Sequence, residues 1–121
     1  MSSQSPKASI QFIQGLVESV VPEITIERNS DGREGKAYFI FNEPETLSQE
    51  RASPINQIIM TDKEGELTSR DVSIIEKDGK SNSIKAAYSW KSYLEFERFM
   101  RFAHNYTKAN GKDYLDNKGV N

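Results

Sequence analysis

The side chains that could carry out catalysis or bind a metal are few in this sequence of 121 residues, and they are not grouped. The sequence contains no cysteine, which excludes thiolate zinc sites, iron–sulfur clusters, disulfides and cysteine nucleophiles. Its one histidine, His104, has no second histidine for a metal site and no partner at a spacing that suggests a catalytic triad. We therefore expect His104 to lie on the surface or at the boundary of a helix.

Carboxylates are more numerous, but they occur in segments with turn sequences. Asp62, Glu64 and Glu66 lack the complete set of ligands of a calcium loop. Gly32 and Gly35 lie in a hairpin sequence without the lysine and the following helix of a phosphate-binding loop. Because no group of residues meets the criteria for an active site, we predict that the protein is not an enzyme and that it holds no metal or other cofactor.

Charge is distributed unevenly along the chain. Lys and Arg number 16 and Asp and Glu number 18, which gives a net charge of −2 and disfavours a strongly basic nucleic-acid binder. Residues 80–111 carry a net charge of +4, residues 112–121 are balanced, and residues 1–79 carry −6. The sequence therefore predicts a basic end and an acidic end. The basic end has two interpretations, an ordinary solvated surface or an oriented docking face.

Apolar residues that alternate with polar ones predict that most of the chain forms β-strands. The predicted strands lie around residues 10–12 and 24–26, and at 36–42, 55–61, 66–76 and 80–90. Turn sequences such as Asn29-Ser30-Asp31-Gly32 and Asp78-Gly79 separate them and favour antiparallel hairpins. Residues 36–42 are apolar on both faces, which predicts a central strand. Residues 43–54 predict a loop with one helical turn.

Residues 91–109 predict the one long helix, because the apolar period changes there from two to 3.6. Ser92, followed by Glu95, has the spacing of a capping box, and Asn110-Gly111 is typical of a helix end. The side expected to cover the sheet carries Tyr93, Phe96, Phe99, Met100, Ala103 and Tyr106, with Phe102 at the border.

The opposite side of this helix accounts for most of the basic end. It carries Lys91, Leu94, Arg98, Arg101, Asn105 and Lys108. Glu95 and Glu97 lie three and four residues before the two arginines, so we expect pairs within the helix to neutralise part of the basic charge.

Together these elements predict a mainly β, α+β fold, in which a curved antiparallel meander sheet, partly barrel-like, is covered by one C-terminal amphipathic helix. We assign residues 8–111 to one domain, residues 1–7 to a disordered N-terminal tail and residues 112–121 to a flexible polar tail. Tyr88, Trp90 and Tyr93 meet at the junction of the last strand and the helix. We expect them to pack in the core, and a stacking platform for bases is the alternative.

The most distinctive stretch is Arg98-Phe99-Met100-Arg101-Phe102, continued by Tyr106 and Asn110-Gly111. It resembles the C-terminal signature of the Psb28 family, small extrinsic proteins of photosystem II. Three further stretches agree with that family in order and spacing: Ile10-Gln11-Phe12-Ile13-x-Gly15; Val21-Pro22-Glu23-Ile24 followed by Arg28 and Asp31-Gly32; and Phe39-x-Phe41-x-x-Pro44 followed by residues 59–66 and 70–72. The resemblance covers residues 10–111. Ala103 and His104 follow where the family is expected to have a bulky residue, which leaves the paralogue open.

The resemblance implies a non-catalytic, cofactor-free assembly factor. Such a protein would be peripheral to the thylakoid membrane on its cytoplasmic or stromal side. It would bind immature photosystem II through the inner antenna and the reaction-centre subunits, and would assist biogenesis, repair or protection of the reaction centre. We expect it to be a monomer or a weak dimer when isolated.

Two features of the sequence suggest how such binding could occur. An antiparallel sheet has edges that can accept a strand from a partner. The basic side of the helix, with Arg98, Arg101, Asn105 and Lys108, could orient the protein against acidic loops. Charge reversal of both arginines is then expected to weaken binding and to leave the fold intact. The alternative function is a small nucleic-acid-binding β-barrel module.

Overall fold

The computed structural model describes residues 7–29, 31–48 and 54–118. Within these ranges two helices occur, α1 (Glu45–Ser48) and α2 (Tyr93–Ala109). The strands in the same ranges are β1 (Ser9–Ile13), β2 (Leu16–Val17), β3 (Glu23–Arg28), β4 (Gly35–Asn42), β5 (Ile58–Asp62), β6 (Gly65–Ser69), β7 (Asp71–Lys77), β8 (Lys80–Trp90) and β9 (Leu115–Lys118). Strands β3, β4 and β8 lie where alternation predicted them, and α1 is the helical turn predicted in the loop after β4.

The strands form two sheets rather than one. A four-stranded sheet has the order β2-β1-β5-β6, and a five-stranded sheet has the order β7-β8-β4-β3-β9. Neighbouring strands are antiparallel, except that β9 runs parallel to β3. The predicted mainly β, α+β class with a C-terminal helix is confirmed, and so is the central position of β4. The predicted partly barrel-like sheet is wrong, because the two sheets do not close on each other.

The chain passes from one sheet to the other at Arg70. The prediction of a single strand over residues 66–76 is therefore wrong, since β6 and β7 lie in different sheets. The sequence contains the reason: Leu67 is odd-numbered, whereas Val72 and Ile74 are even-numbered. One continuous strand would turn Leu67 away from the face that buries the other two.

The core lies between the two sheets and α2. The Phe99 ring of α2 is stacked on Trp90 and on Tyr88, each with 5.4 Å between ring centroids, and meets Phe39 edge-on at 6.1 Å. Trp90 is 1% exposed. Gly35 lets β4 pass this ring closely, because a Cβ atom there would lie 2.6 Å from it. Trp90 and Tyr88 are therefore core residues and do not form a stacking platform.

Helix α2 begins at Tyr93, with Ser92 as the predicted N-cap. The Ser92 hydroxyl accepts a hydrogen bond from the Glu95 amide at 3.2 Å, and the Glu95 carboxylate accepts one from the Lys91 amide at 2.8 Å. Two details of the predicted face are wrong. Phe102 is fully buried rather than at the border, and Tyr93 is 53% exposed.

Strand β9 follows α2 and was not predicted. It lies beside β3, and Arg28 bonds Asp116 at 3.0 Å. The expectation that β8 is the last strand is therefore wrong, and residues 115–118, which the sequence places in the polar tail, lie in β9. Residues 115–118 contain one apolar residue and so have no alternation to detect. Residues 1–6 and 119–121 of the predicted tails lie outside the described residues.

Candidate partner-binding site

The two arginines of the predicted basic face point towards the turn between β5 and β6. This turn forms because Gly65 has a φ of 127°, and because the Asp62 carboxylate accepts a hydrogen bond from the Glu64 amide at 2.9 Å. The Arg98 guanidinium donates two hydrogen bonds to Asp62, at 2.8 and 2.9 Å. Arg101 donates two to Glu64, at 2.7 and 2.9 Å. Each arginine is therefore paired in the forked geometry that favours carboxylates.

The first of these pairs is buried. The Asp62 side chain is 2% exposed and that of Arg98 18%. Burial pushes the pKa of Asp62 upwards, but the hydrogen bonds from Arg98, the Glu64 amide and the charge of Arg98 outweigh it, so the pKa lies below its ordinary value. Asp62 is therefore ionised at neutral pH and depends on Arg98 for its partner.

The second pair is open to solvent. The side chain of Arg101 is 52% exposed and that of Glu64 31%. The hydrogen bond from Arg101 holds the pKa of Glu64 below its ordinary value. Exposed pairs of this kind contribute little to stability because solvent screens them.

The four residues of the predicted site consequently do not form one free basic face. Arg98 is turned inward, Arg101 is paired, Asn105 is half-buried and Lys108 is exposed. The expected pairs with Glu95 and Glu97 are not among the ion pairs of the described residues, since the arginines reach the β5–β6 turn instead.

A cleft lies between this turn, the middle of α2 and the segment before β9. We call it the α2 cleft; it is open to solvent and has a volume of about 400 Å³. Its lining comprises Lys63, Glu64, Met100, Arg101, His104, Asn105 and Tyr114. A smaller depression of about 220 Å³ adjoins it and shares Lys63 and Asn105. His104 is exposed at the cleft, as a surface residue of the helix.

Comparison with known proteins identifies the family. The family model of Psb28, described as "Psb28 protein", matches residues 10–114. The chain is a member of the Psb28 family. One relative, the "Photosystem II reaction center Psb28 protein" of Synechococcus sp. (strain WH7803), is 46% identical over 115 residues, which covers 95% of this chain and 89% of that protein. A protein of the same name from Prochlorococcus marinus (strain MIT 9211) is 41% identical over 114 residues, covering 94% and 97%.

The strands at the ends of the two sheets are the other candidate site of this Psb28 chain. They are β2 and β6 in one sheet, and β7 and β9 in the other. Strand β7 is the longest of the four, with seven residues, and its Ile75 side chain is 41% exposed. The Val72 amide donates to the Arg70 carbonyl at 3.0 Å. The Val72 amide therefore points away from β8. Because amides alternate in direction along a strand, the Ser73 amide points towards β8 and the Ile74 amide points away from it.

Glu18 is a buried carboxylate that sequence reasoning missed. It accepts hydrogen bonds from the amides of Val20, Glu45 and Thr46 and from the Thr46 hydroxyl, at 2.6–2.9 Å. Burial raises the pKa of Glu18, but these four donors together lower it below its ordinary value. The carboxylate joins the segment after β2 to the start of α1, which is a structural role. The donors lie up to 28 residues away in sequence, so no local pattern predicts that they meet Glu18.

The ranges that the structure describes contain no cluster of three or more histidine, aspartate or glutamate residues able to hold a metal ion. Neither α1 nor α2 is long and apolar enough to cross a membrane.

Proposed function

We propose that the protein is a non-catalytic, peripheral assembly factor of photosystem II. In this proposal it binds immature subcomplexes on the cytoplasmic or stromal face and assists biogenesis, repair or protection of the reaction centre. The observation that carries the proposal is the Psb28 family match over residues 10–114, together with relatives named as photosystem II reaction center proteins. The proposed partners are the inner antenna and the reaction-centre subunits. The isolated protein is a monomer or a weak dimer, and nucleic acid is not a partner.

Strand addition at β7 is the proposed main contact. An edge strand presents N–H and C=O groups that an extended partner segment can pair with. Strand β3 is already paired on both sides, by β4 and by β9, and β2 has only two residues. Strand β7 has seven residues and no neighbour on its outer side within the described part of the chain. It therefore offers the longest ladder to a partner.

The C-terminal half of α2 is the proposed second contact. Arg101, Asn105 and Lys108 lie on its accessible surface and would face acidic groups of the partner. Arg98 belongs to the same proposed site through its bond to Asp62, which holds α2 against the β5–β6 turn. Its contribution is to position the helix.

The first experiment is affinity isolation of the tagged full-length chain from cyanobacterial thylakoids. We expect inner antenna and reaction-centre subunits to co-purify, and mature oxygen-evolving complexes to be absent. Recovery of ribosomal or RNA-bound material alone would overturn the proposal.

Hydrogen–deuterium exchange on the isolated complex tests the edge strand. The outward amide of Ile74 should exchange rapidly in the free chain and slowly in the complex, because a partner strand gives it an acceptor. The neighbouring amide of Ser73 faces β8 and is the internal control, since it should be protected in both states. Equal exchange of Ile74 with and without the partner would exclude strand addition at β7.

A further inference from the structure

We propose that the α2 cleft binds an acidic peptide segment of a partner protein that carries one apolar side chain. The apolar side chain would lie on Met100 and Tyr114, and the carboxylates would lie near Lys63 and His104. This inference rests on the proposed function, in which the chain acts by binding another protein. It adds a binding pocket and the chemistry of the segment that fills it.

The polar side chains of the cleft are available to a ligand. Those of Lys63, His104, Asn105 and Tyr114 make no hydrogen bond or ion pair within the residues that the structure describes. Their neighbours Arg101 and Glu64, by contrast, are bonded to each other. The cleft therefore combines half-buried apolar side chains with polar groups that have no partner among the described residues.

The charge around the cleft favours an acidic ligand. Lys63 lies on one wall, and Lys7 lines the adjoining depression. Lys108 follows His104 by four residues and so lies on the same side of α2. None of these lysines is in an ion pair in the described ranges. The two acidic groups of the turn, Asp62 and Glu64, are both paired with arginines, and Glu97 lies one helical turn before Arg101 and acts on its charge.

The shape of the cleft favours a peptide over a membrane surface. A bilayer is best contacted by a flat or convex basic surface, whereas here the apolar side chains lie in a cleft whose lining also includes the acidic Glu64. The Asn105 side chain can both donate to and accept from a peptide group. From Met100 to Ala109 the helix rises about 14 Å, which matches roughly four residues of extended chain.

A synthetic peptide, acetyl-Glu-Asp-Leu-Asp-Glu-amide, is the probe. We would titrate it into the isotope-labelled full chain and follow the backbone amides by NMR. Shifts should cluster at Lys63, Met100, His104, Asn105 and Tyr114. Matched peptides with serine for leucine, or with amides for the acids, should bind about tenfold more weakly, since each loses one of the two recognition elements. Shifts elsewhere on the surface, or equal binding of the serine peptide, would overturn the inference.

Lys63→Glu is the matched variant, and Lys80→Glu is its control. Both lysines are exposed and unpaired in the described ranges, but Lys80 lies on the β7–β8 hairpin, away from the cleft. Lys63→Glu should weaken peptide binding about tenfold, and Lys80→Glu should leave it unchanged. Since Lys63→Glu places a third acidic group in its turn, Lys63→Ala, with an expected loss of about threefold, separates lost binding from altered folding.

Two further measurements separate the other occupants and the proposed function. Binding of the chain to phosphatidylglycerol vesicles but not to the peptide would assign the cleft to a membrane. Concentration-dependent shifts of the same residues without peptide would assign it to a second copy. Either result overturns the inference. If the wild-type chain and Lys63→Glu recover photosystem II subunits equally and neither binds the peptide, the cleft inference fails and the proposed function stands. If the wild-type chain recovers none, the proposed function itself fails.

Discussion

The two bidentate ion pairs that join α2 to the β5–β6 turn differ in kind, although their arginines are three residues apart. A third and longer contact, of 3.8 Å, runs from Arg98 to Glu64. Arg98 reaches a carboxylate that is 2% exposed, whereas Arg101 reaches one that is 31% exposed. Both pairs have bidentate geometry, so bond length does not distinguish them. The degree of burial distinguishes them. Removing one partner of a buried pair leaves the other charge neither paired nor solvated, whereas at the surface water solvates the remaining charge.

The difference separates two roles that the sequence presents as one. A run of basic residues on a helix predicts a docking face, but here one arginine holds the helix to the turn and the other lines an open cleft. Reversing both charges would therefore not leave the fold intact, because Arg98 would become a second carboxylate facing buried Asp62. Variants at the two positions must be studied separately.

The largest effect is expected for Arg98→Met, which keeps the length of the side chain and removes its charge. Asp62 is then left ionised and buried without its partner, and we expect the free energy of unfolding to fall by about 3 kcal/mol. Urea denaturation of the full chain measures the loss. Arg101→Met is the matched control, and a similar loss in both variants would contradict the distinction between the pairs.

The next effect is a rescue. Asp62→Asn in the Arg98→Met background removes the uncompensated charge and keeps an oxygen for the Glu64 amide. We expect roughly 1–2 kcal/mol of the lost stability to return, since coupled partners are not additive. The measurement is the same urea midpoint for both single variants and the double variant. Purely additive losses would mean that Arg98 does not act through its pair with Asp62.

The pH dependence gives a smaller but independent comparison. The pKa of Asp62 is lowered in the folded chain, so its ionised form contributes stability above the unfolded pKa of about 4, and this is lost as pH falls through the folded pKa. In Arg98→Met the same carboxyl lacks the counter-charge that outweighs its burial. The stability gap between wild type and variant should therefore narrow as pH decreases from neutral to below 4, as measured by thermal unfolding. A constant gap would show that Asp62 is not the titrating group.

Much of the fold could be predicted because its signals are local. The bounds of β8, the Ser92 cap and the turn before Gly79 depend on residues within a few positions of one another. The change of sheet at Arg70 also has a local signal, because the apolar residues change from odd-numbered to even-numbered positions between Leu67 and Val72.

The candidate site could not be predicted to the same extent, because its contacts are distant in sequence. Asp62 lies 36 residues before Arg98, and nearer acidic residues at helical spacing compete for the same arginine in any local argument. Only the packing of α2 over the sheets decides which carboxylate it meets. Likewise, the α2 cleft needs Tyr114, which follows the helix in a segment without periodicity.

The smallest effect on stability, and the one that connects the comparison to function, is expected for Arg101→Met. The pair with Glu64 is exposed, so the unfolding midpoint should not change measurably. Without Arg101, Glu64 keeps only the longer contact of 3.8 Å to Arg98. Its less compensated negative charge in the lining of the α2 cleft should weaken binding of the acidic peptide about threefold. Adding Glu64→Gln should restore binding by removing that charge. If the double variant binds as weakly as Arg101→Met, the arginine contacts the ligand directly, and its pairing with Glu64 is not what tunes the cleft.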